Sequence, residues 1–69
     1  MNLSDRIKRK AKKLPGGLDT LAAVSGISKR TLSRRLSHME EMTQKEFSQI
    51  AATVGLDREE KEAWLKGNF

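Results

Sequence analysis

Glycines divide the chain into short segments, and this division limits the possible fold more than any other feature. The breaks lie at Gly16-Gly17, Gly26, Gly55 and Gly67. Before each break, apolar residues recur every three or four positions, which places them on one face of a helix. Glycine ends a helix readily because it tolerates positive φ. No segment alternates as a strand does. The sequence therefore predicts an all-α chain, a compact bundle of about five short helices in a single domain over residues 1–69.

Two of the predicted helices precede Gly26. Asn2 or Ser4 can cap the first, and Pro15-Gly16-Gly17 ends it. The second covers residues 18–25. The residues predicted to face the core from these two helices are Leu3, Ile7, Ala11, Leu14, Leu18, Leu21, Ala22 and Val24.

The third helix is predicted over residues 29–37, with Ser28 as its N-cap. Ile27 lies just before the cap, and Leu32 follows inside the helix at the spacing of a hydrophobic staple. Leu36 lies four residues after Leu32 and therefore on the same face. Only these three apolar residues attach the third helix to a core.

The strongest local signal starts the fourth helix after a loop over residues 38–42. Thr43 and Glu46 are spaced as a capping box, with Met42 and Phe47 as the accompanying staple. Gly55 ends this helix. A fifth helix is predicted to begin at residue 57 and to stop at residue 67.

Charge is distributed unevenly along the chain, whose net charge is +5. Residues 1–37 contain ten lysines and arginines against two aspartates, so their net charge is +8. Residues 38–69 contain four against seven acids, which gives −3. Such asymmetry is typical of a nucleic-acid-binding protein with one basic face. A solvated basic surface without a ligand would give the same distribution, so charge alone leaves both interpretations open.

The junction of the second and third helices has the spacing of a helix-turn-helix over about residues 18–37. Ala22 is small, as required where two helices cross closely, and Gly26 follows four positions later, where the turn needs positive φ. Ile27, Leu32 and Leu36 provide apolar contacts on one side of the third helix only. The other side stays polar, which a helix presented to a ligand requires.

The polar side of the third helix carries Lys29, Arg30, Ser33, Arg34 and Ser37. The first two occupy the start of the helix, where the helix dipole disfavours cations by about 0.3–1 kcal/mol each. Because only the third helix carries cations in its first turn without an acid, this electrostatic cost indicates a functional requirement. Arginine and lysine donate to guanine O6 and N7, and the DNA major groove admits a helix. The alternative is a solvated basic helix with no ligand.

These segments resemble a known family. LAAVSGISKRTLSRRLS resembles the helix-turn-helix of the lambda-repressor-like family, which includes Cro proteins and phage repressors. TQKEFSQIAATVGL is similar to the fourth helix of that family, and WLKG to a closing segment of its phage-repressor branch. The resemblance covers roughly residues 18–67. It implies a five-helix domain that binds double-stranded DNA as a dimer.

The resemblance also assigns roles to residues. Base contacts would come from Lys29, Arg30, Ser33 and Arg34. The candidate contacts to the DNA backbone are Ser28, Thr31, Ser37, Thr20, Lys12 and Lys8, with Arg6 as a further cation of the first helix. Ser28 and Thr31 have a purely helical alternative, as a cap and a first-turn residue.

Two positions depart from the family pattern. Leu18 and Asp19 stand where a glutamine often contacts phosphate at the start of the second helix, which weakens the transfer of phosphate contacts to that helix. Arg35 stands at a usually apolar position of the third helix, which suggests a slightly different roll of this helix on the core.

Three apolar residues near the C-terminus, Trp64, Leu65 and Phe69, are more than a small core needs. We expect Trp64 to complete the core and any exposed remainder to form the interface of a weak homodimer. The fourth helix with the loop over residues 38–42 is the competing dimer surface.

Other classes of protein find little support in the sequence. No nucleophile is paired with a base, and the Glu40-Glu41 and Glu59-Glu60 pairs are expected on polar surfaces, so we expect no enzyme, no cofactor and no small-molecule substrate. One histidine without cysteine cannot form a structural zinc site, so no metal is expected, and His38 is interpreted as a surface residue. No apolar run is long enough to span a membrane, and we expect a cytoplasmic protein.

The leading hypothesis is a sequence-specific transcriptional regulator, a Cro-like repressor of a phage or prophage. It would bind a near-palindromic operator as a homodimer, with the third helix in the major groove. Two alternatives remain: the DNA-binding domain of a longer phage repressor, and a protein-interaction module that keeps the same fold and binds an acidic partner.

Overall fold

The computed structural model describes residues 2–69, which form five α-helices and one 3₁₀ turn and contain no strand. In chain order these are α1 (Leu3–Lys12), α2 (Leu18–Ser25), α3 (Lys29–Ser37), the 3₁₀ turn (Met39–Glu41), α4 (Gln44–Val54) and α5 (Arg58–Leu65). The predicted all-helical fold is confirmed. The predicted bounds of the second and third helices agree with those of α2 and α3.

Local capping interactions explain where the helices begin. The Ser28 hydroxyl accepts a hydrogen bond from the Thr31 backbone N–H, 3.2 Å away, at the start of α3. The predicted capping box of α4 is present, since Thr43 and Glu46 each accept from the backbone N–H of the other. α2 and α4 end at Gly26 and Gly55, whose φ values of 75° and 73° lie in the left-handed region that glycine tolerates.

The core contains nearly all of the apolar residues that the sequence places inside. Its largest fully buried side chains are Ile7, Leu21, Leu32, Leu36 and Ile50. Met39, the first residue of the 3₁₀ turn, and Met42, which follows the turn, are also buried in the core. Val24 was predicted to face inward, and this prediction is wrong. Its side chain is 65% exposed, because the inward face of α2 is already formed by Leu21, Ala22 and Ser25.

α2 is the central element of the packing. It contacts α1, α3 and α4, while α1 also contacts α4 and α5. The rings of Phe47 and Trp64 stack at a centroid distance of 4.4 Å and an angle of 5°, which joins α4 to α5. This arrangement leaves one long side of α3 exposed.

Glu60 is a buried acid that ties α5 to α1. Its side chain is only 3% exposed, and its Oε1 lies 2.6 Å from Nζ of Lys10. The same oxygen accepts from the Asp57 backbone N–H and so completes a second capping box. The expectation that Glu59 and Glu60 both lie on a polar surface is therefore wrong for Glu60. Burial is tolerated because a cation and a backbone donor surround the carboxylate.

Across residues 2–69, no helix combines the length and the apolar character that crossing a membrane requires.

Candidate nucleic-acid interface

The turn between α2 and α3 holds the two helices in contact. Three residues, Gly26 to Ser28, connect them, and the Gly26 N–H donates to the Ala22 carbonyl at 3.0 Å. The buried Ser25 hydroxyl donates to the Leu21 carbonyl at 2.6 Å, so it leaves no unpaired polar group beneath the turn. Ile27 is only 9% exposed. This geometry is compatible with the predicted helix-turn-helix.

The outer face of α3, defined as Lys29, Arg30, Ser33, Arg34 and Ser37, is exposed at all five positions. On the opposite side, Leu32 is fully buried and Leu36 is 2% exposed. The four predicted base-contacting residues therefore lie together on one accessible surface, carried by a helix whose other side is fixed in the core. An exposed basic face on one helix suits the major groove of DNA, which admits a helix, better than it suits a small ligand.

Carboxylates lie near both ends of this outer face. At the start of α3, Nζ of Lys29 is 2.9 Å from an Asp19 carboxylate oxygen. At its end, Nε of Arg34 is 3.9 Å from Glu41. Arg30 has no carboxylate within ion-pair distance among residues 2–69. These pairs are solvent-exposed, so each contributes about 1 kcal/mol or less.

Arg35 links α3 to the segment that follows it. Its Nε donates to Glu46 at 3.2 Å, and its Nη1 lies 3.4 Å from Glu41. The side chain is only 25% exposed. Here the guanidinium is neutralised by two carboxylates, and Arg35 connects the end of α3 to the start of α4.

The same interactions explain the electrostatics of Glu46. The Thr43 backbone N–H donates to the Glu46 carboxylate at 2.9 Å and, together with the Arg35 guanidinium, holds the pKa of Glu46 below its ordinary value of 4.5. Partial burial acts in the opposite direction but is outweighed. Glu46 is thus charged at neutral pH and fixes the junction between α3 and α4.

The hydroxyl groups predicted to contact the DNA backbone differ in their local partners. Ser28 caps α3, and its hydroxyl donates to the Thr31 hydroxyl at 2.9 Å. Thr20 donates to the Pro15 carbonyl, which connects α2 to the preceding turn. Ser37 is exposed at the end of α3. The hydroxyl groups of Ser28, Thr31 and Thr20 thus have partners within the protein, and that of Ser37 faces solvent. Contacts of these four groups with phosphate stay predictions.

α1 separates its cations into two groups. Arg6 and Lys10 lie on the side of α1 that faces α5, where both approach Glu60 at 3.8 and 2.6 Å. Ser4, on the opposite side, donates its hydroxyl to the Leu36 carbonyl of α3 at 2.5 Å. Lys8 and Lys12 follow Ser4 at intervals of four residues and therefore share that side. Of the α1 cations proposed from the sequence, Lys8 and Lys12 are the better placed for a ligand of α3.

The structure adds two residues that the sequence did not indicate. Lys45 and Gln49 of α4 line a shallow groove together with Ser28 and Thr31, beside the start of α3. Both are exposed. The polar side of α4 was visible in the sequence, but which neighbour it would face depends on how α4 packs against α2.

A possible cation site lies at the end of α3. His38, Glu40 and Glu41 are all exposed, and their ligand atoms lie within 4.8 Å of one another. Nδ1 of His38 is 3.6 Å from Glu40, while Glu41 is already engaged by Arg35. Because the arginine competes for one of the three ligands, this group is better suited to ion pairing than to holding a metal.

The three C-terminal apolar residues differ in their exposure. Trp64 and Phe69 pack against the core, whereas the Leu65 side chain is 67% exposed. Leu65 borders a groove between α4 and α5 whose floor includes Phe47, Ala51 and Trp64. A dimer surface at this place stays a prediction.

The chain matches no protein-family model. No curated protein and no solved structure is similar to it at a significant level.

Proposed function

We propose that this protein is a sequence-specific double-stranded DNA-binding transcriptional regulator that inserts α3 into the major groove. The further details follow the family resemblance: a Cro-like repressor of a phage or prophage, acting in the cytoplasm on a near-palindromic operator. The observation that carries the proposal is the outer face of α3. Five exposed polar residues, three of them cationic, stand on a helix whose opposite side is buried.

The arrangement of charge supports a nucleic acid as the partner. The cations of α3 and the Lys8–Lys12 side of α1 belong to the part of the chain with net charge +8. The Lys10–Glu60 and Arg35–Glu46 pairs remove two of the remaining cations from binding. A cation that is already paired inside the fold contributes little to a polyanion, so the number of phosphates contacted is smaller than the number of basic residues.

Within this proposal, each part of the outer face of α3 has a defined task. Arg30, which lacks a carboxylate partner among residues 2–69, is the strongest candidate for a bidentate contact with guanine. Ser33 and Ser37 accept or donate to several base edges or to phosphate. To contact DNA, Lys29 must release Asp19 and Arg34 must release Glu41.

Two copies would bind one operator as a weak homodimer. Leu65 and the adjoining groove between α4 and α5, which Trp64 also lines, are the proposed contact, and Phe69 is a further candidate from the sequence. Two recognition helices must lie about 34 Å apart to enter successive major grooves on one side of the duplex. The dimer contact would set that distance.

A salt titration of binding to duplex DNA tests this proposal. With several phosphates contacted, log K should fall linearly with log salt concentration, by a slope of about −0.9 for each phosphate. Binding that is insensitive to salt would overturn the proposal. So would equal affinity for every duplex sequence, because the outer face of α3 would then contact no bases.

A further inference from the structure

The Asp19–Lys29 ion pair connects the first turns of the two helices that form the candidate interface. The carboxylate of α2 and the ammonium of α3 are 2.9 Å apart, and their side chains are 70% and 63% exposed. Neither helix needs this pair for packing, since α2 and α3 contact each other through buried apolar residues. The pair lies at the surface, where a DNA strand would compete for the ammonium.

The position of Asp19 accounts for an irregularity of α3. The first turn of α3 contains no acid, although the first turns of the other four helices each contain at least one. Lys29 and Arg30 therefore lie at the positive end of their helix without local compensation. Asp19 supplies the missing negative charge from α2. An acid in place of Lys29 or Arg30 would stabilise the helix as well, but it would occupy a position on the outer face.

A carboxylate in this place acts differently on the two kinds of DNA contact. A phosphate that approaches Lys29 also approaches Asp19, and like charges at this distance repel. Guanine O6 and N7 accept hydrogen bonds without carrying a full negative charge, so the repulsion is weaker. Asp19 therefore weakens contacts between Lys29 and DNA phosphates, which every sequence offers. It weakens a contact between Lys29 and a guanine edge less.

We infer that Asp19 is a specificity-determining residue, which keeps Lys29 from binding phosphates indiscriminately and so widens the difference between operator and random DNA. This inference rests on the proposed function and adds to it a role for an acidic side chain.

The test compares Asp19→Asn with a control that makes the same change of charge elsewhere. Glu59→Gln is suitable, because Glu59 is exposed on α5 and forms no ion pair among residues 2–69. The dissociation constants are measured over a range of salt for two probes: a random-sequence duplex, and a duplex recovered with the wild-type protein by selection from a random pool. Thermal unfolding of each variant verifies the fold, and Asp19→Ser repeats the measurement with a different side chain.

We expect Asp19→Asn to bind the random duplex up to about fivefold more tightly than the wild type, which is the range of an exposed ion pair. The salt slope for that duplex should become steeper by about 0.9, since Lys29 then contacts a phosphate. Affinity for the selected duplex should change less, so that discrimination falls. Glu59→Gln should leave the slope and the discrimination unchanged.

Two results would overturn the inference alone. If Asp19→Asn and Glu59→Gln behave alike, the ion pair has no selective role. If Asp19→Asn weakens the selected duplex more than the random one, Asp19 itself contacts a base. In both cases the wild type still binds DNA with a salt dependence, which leaves the proposed function standing. A wild type that binds neither probe would overturn the proposed function and the inference with it.

Discussion

Replacing Arg35 by methionine should destabilise the fold although the residue lies on a helix with a largely polar surface. The guanidinium is 3.2 Å from Glu46 and 3.4 Å from Glu41. At such distances the Coulomb attraction of each pair is about 5 kcal/mol for an effective dielectric constant near 20. Desolvation of the charges and the ordering of a long side chain offset most of this attraction. Methionine keeps much of the stem but cannot neutralise either acid.

The net effect follows from the exposure of the two partners. Glu41 is 43% exposed, so its pair contributes less than about 1 kcal/mol. Glu46 is 20% exposed and hydrogen-bonded, which places its pair at about 1 kcal/mol or slightly above. We therefore expect Arg35→Met to lower the free energy of unfolding by about 1–2 kcal/mol. For a domain of this size, Tm should fall by about 4–16 °C.

Thermal and urea-induced unfolding, followed by circular dichroism, measure this change. Arg34→Met is the matched control, because Arg34 is the neighbouring arginine, is 71% exposed and lies 3.9 Å from Glu41. Its replacement should change the free energy of unfolding by less than about 0.5 kcal/mol. If the two variants were equally stable, Arg35 would not connect α3 to α4 and our account of this junction would be refuted.

Three further predictions concern the other charged residues. Glu60→Gln should cost about 1.5–3 kcal/mol in urea unfolding, because Lys10 loses a buried partner at 2.6 Å. Glu59→Gln should cost less than about 1 kcal/mol, since the exposed Glu59 interacts only with the helix dipole, and equal costs would contradict the burial of Glu60. Arg30→Ala should weaken DNA binding by about 1–3 kcal/mol and relax the preference at one base position. Lys12→Ala should only reduce the salt slope of binding by about 0.9 for every sequence, and the opposite results for the two variants would contradict these roles. Glu46 has a lowered pKa in the folded state, so it stabilises the fold above its unfolded value near 4.5, and this contribution is lost as pH falls through the lower folded value. Glu46→Gln should reduce this loss of stability when the free energy of unfolding is measured at decreasing pH. An unchanged dependence of stability on acidic pH would contradict this role of Glu46.

The helices and their ends could be predicted because the signals are local. The Thr43–Glu46 capping box and the glycines at 26 and 55 each act within a few residues of the chain, so periodicity and spacing reveal them. The hydrophobic side of α3 could be predicted equally well, because Leu32 and Leu36 lie four residues apart on one helix. The outer face of α3 follows from the same periodicity.

The ion pairs between helices could not be predicted, because they depend on how segments distant in sequence come together. Lys10 and Glu60 are fifty residues apart, and only the packing of α1 against α5 brings them into contact. Arg35 was recognised as unusual for its position, but its partners Glu41 and Glu46 lie beyond a turn whose path the sequence did not define. For the same reason, the sequence could not tell which cations of α1 are already neutralised by Glu60.

Selection of bound duplexes from a random pool by the wild-type protein tests the central claim most directly. If α3 contacts bases as proposed and two copies act together, the recovered duplexes should share two inverted half-sites with centres about 34 Å apart, or 10–10.5 base pairs. Arg30→Ala should lose the preference at one position of each half-site. Recovery of duplexes without a common sequence would contradict the claim that the outer face of α3 contacts bases.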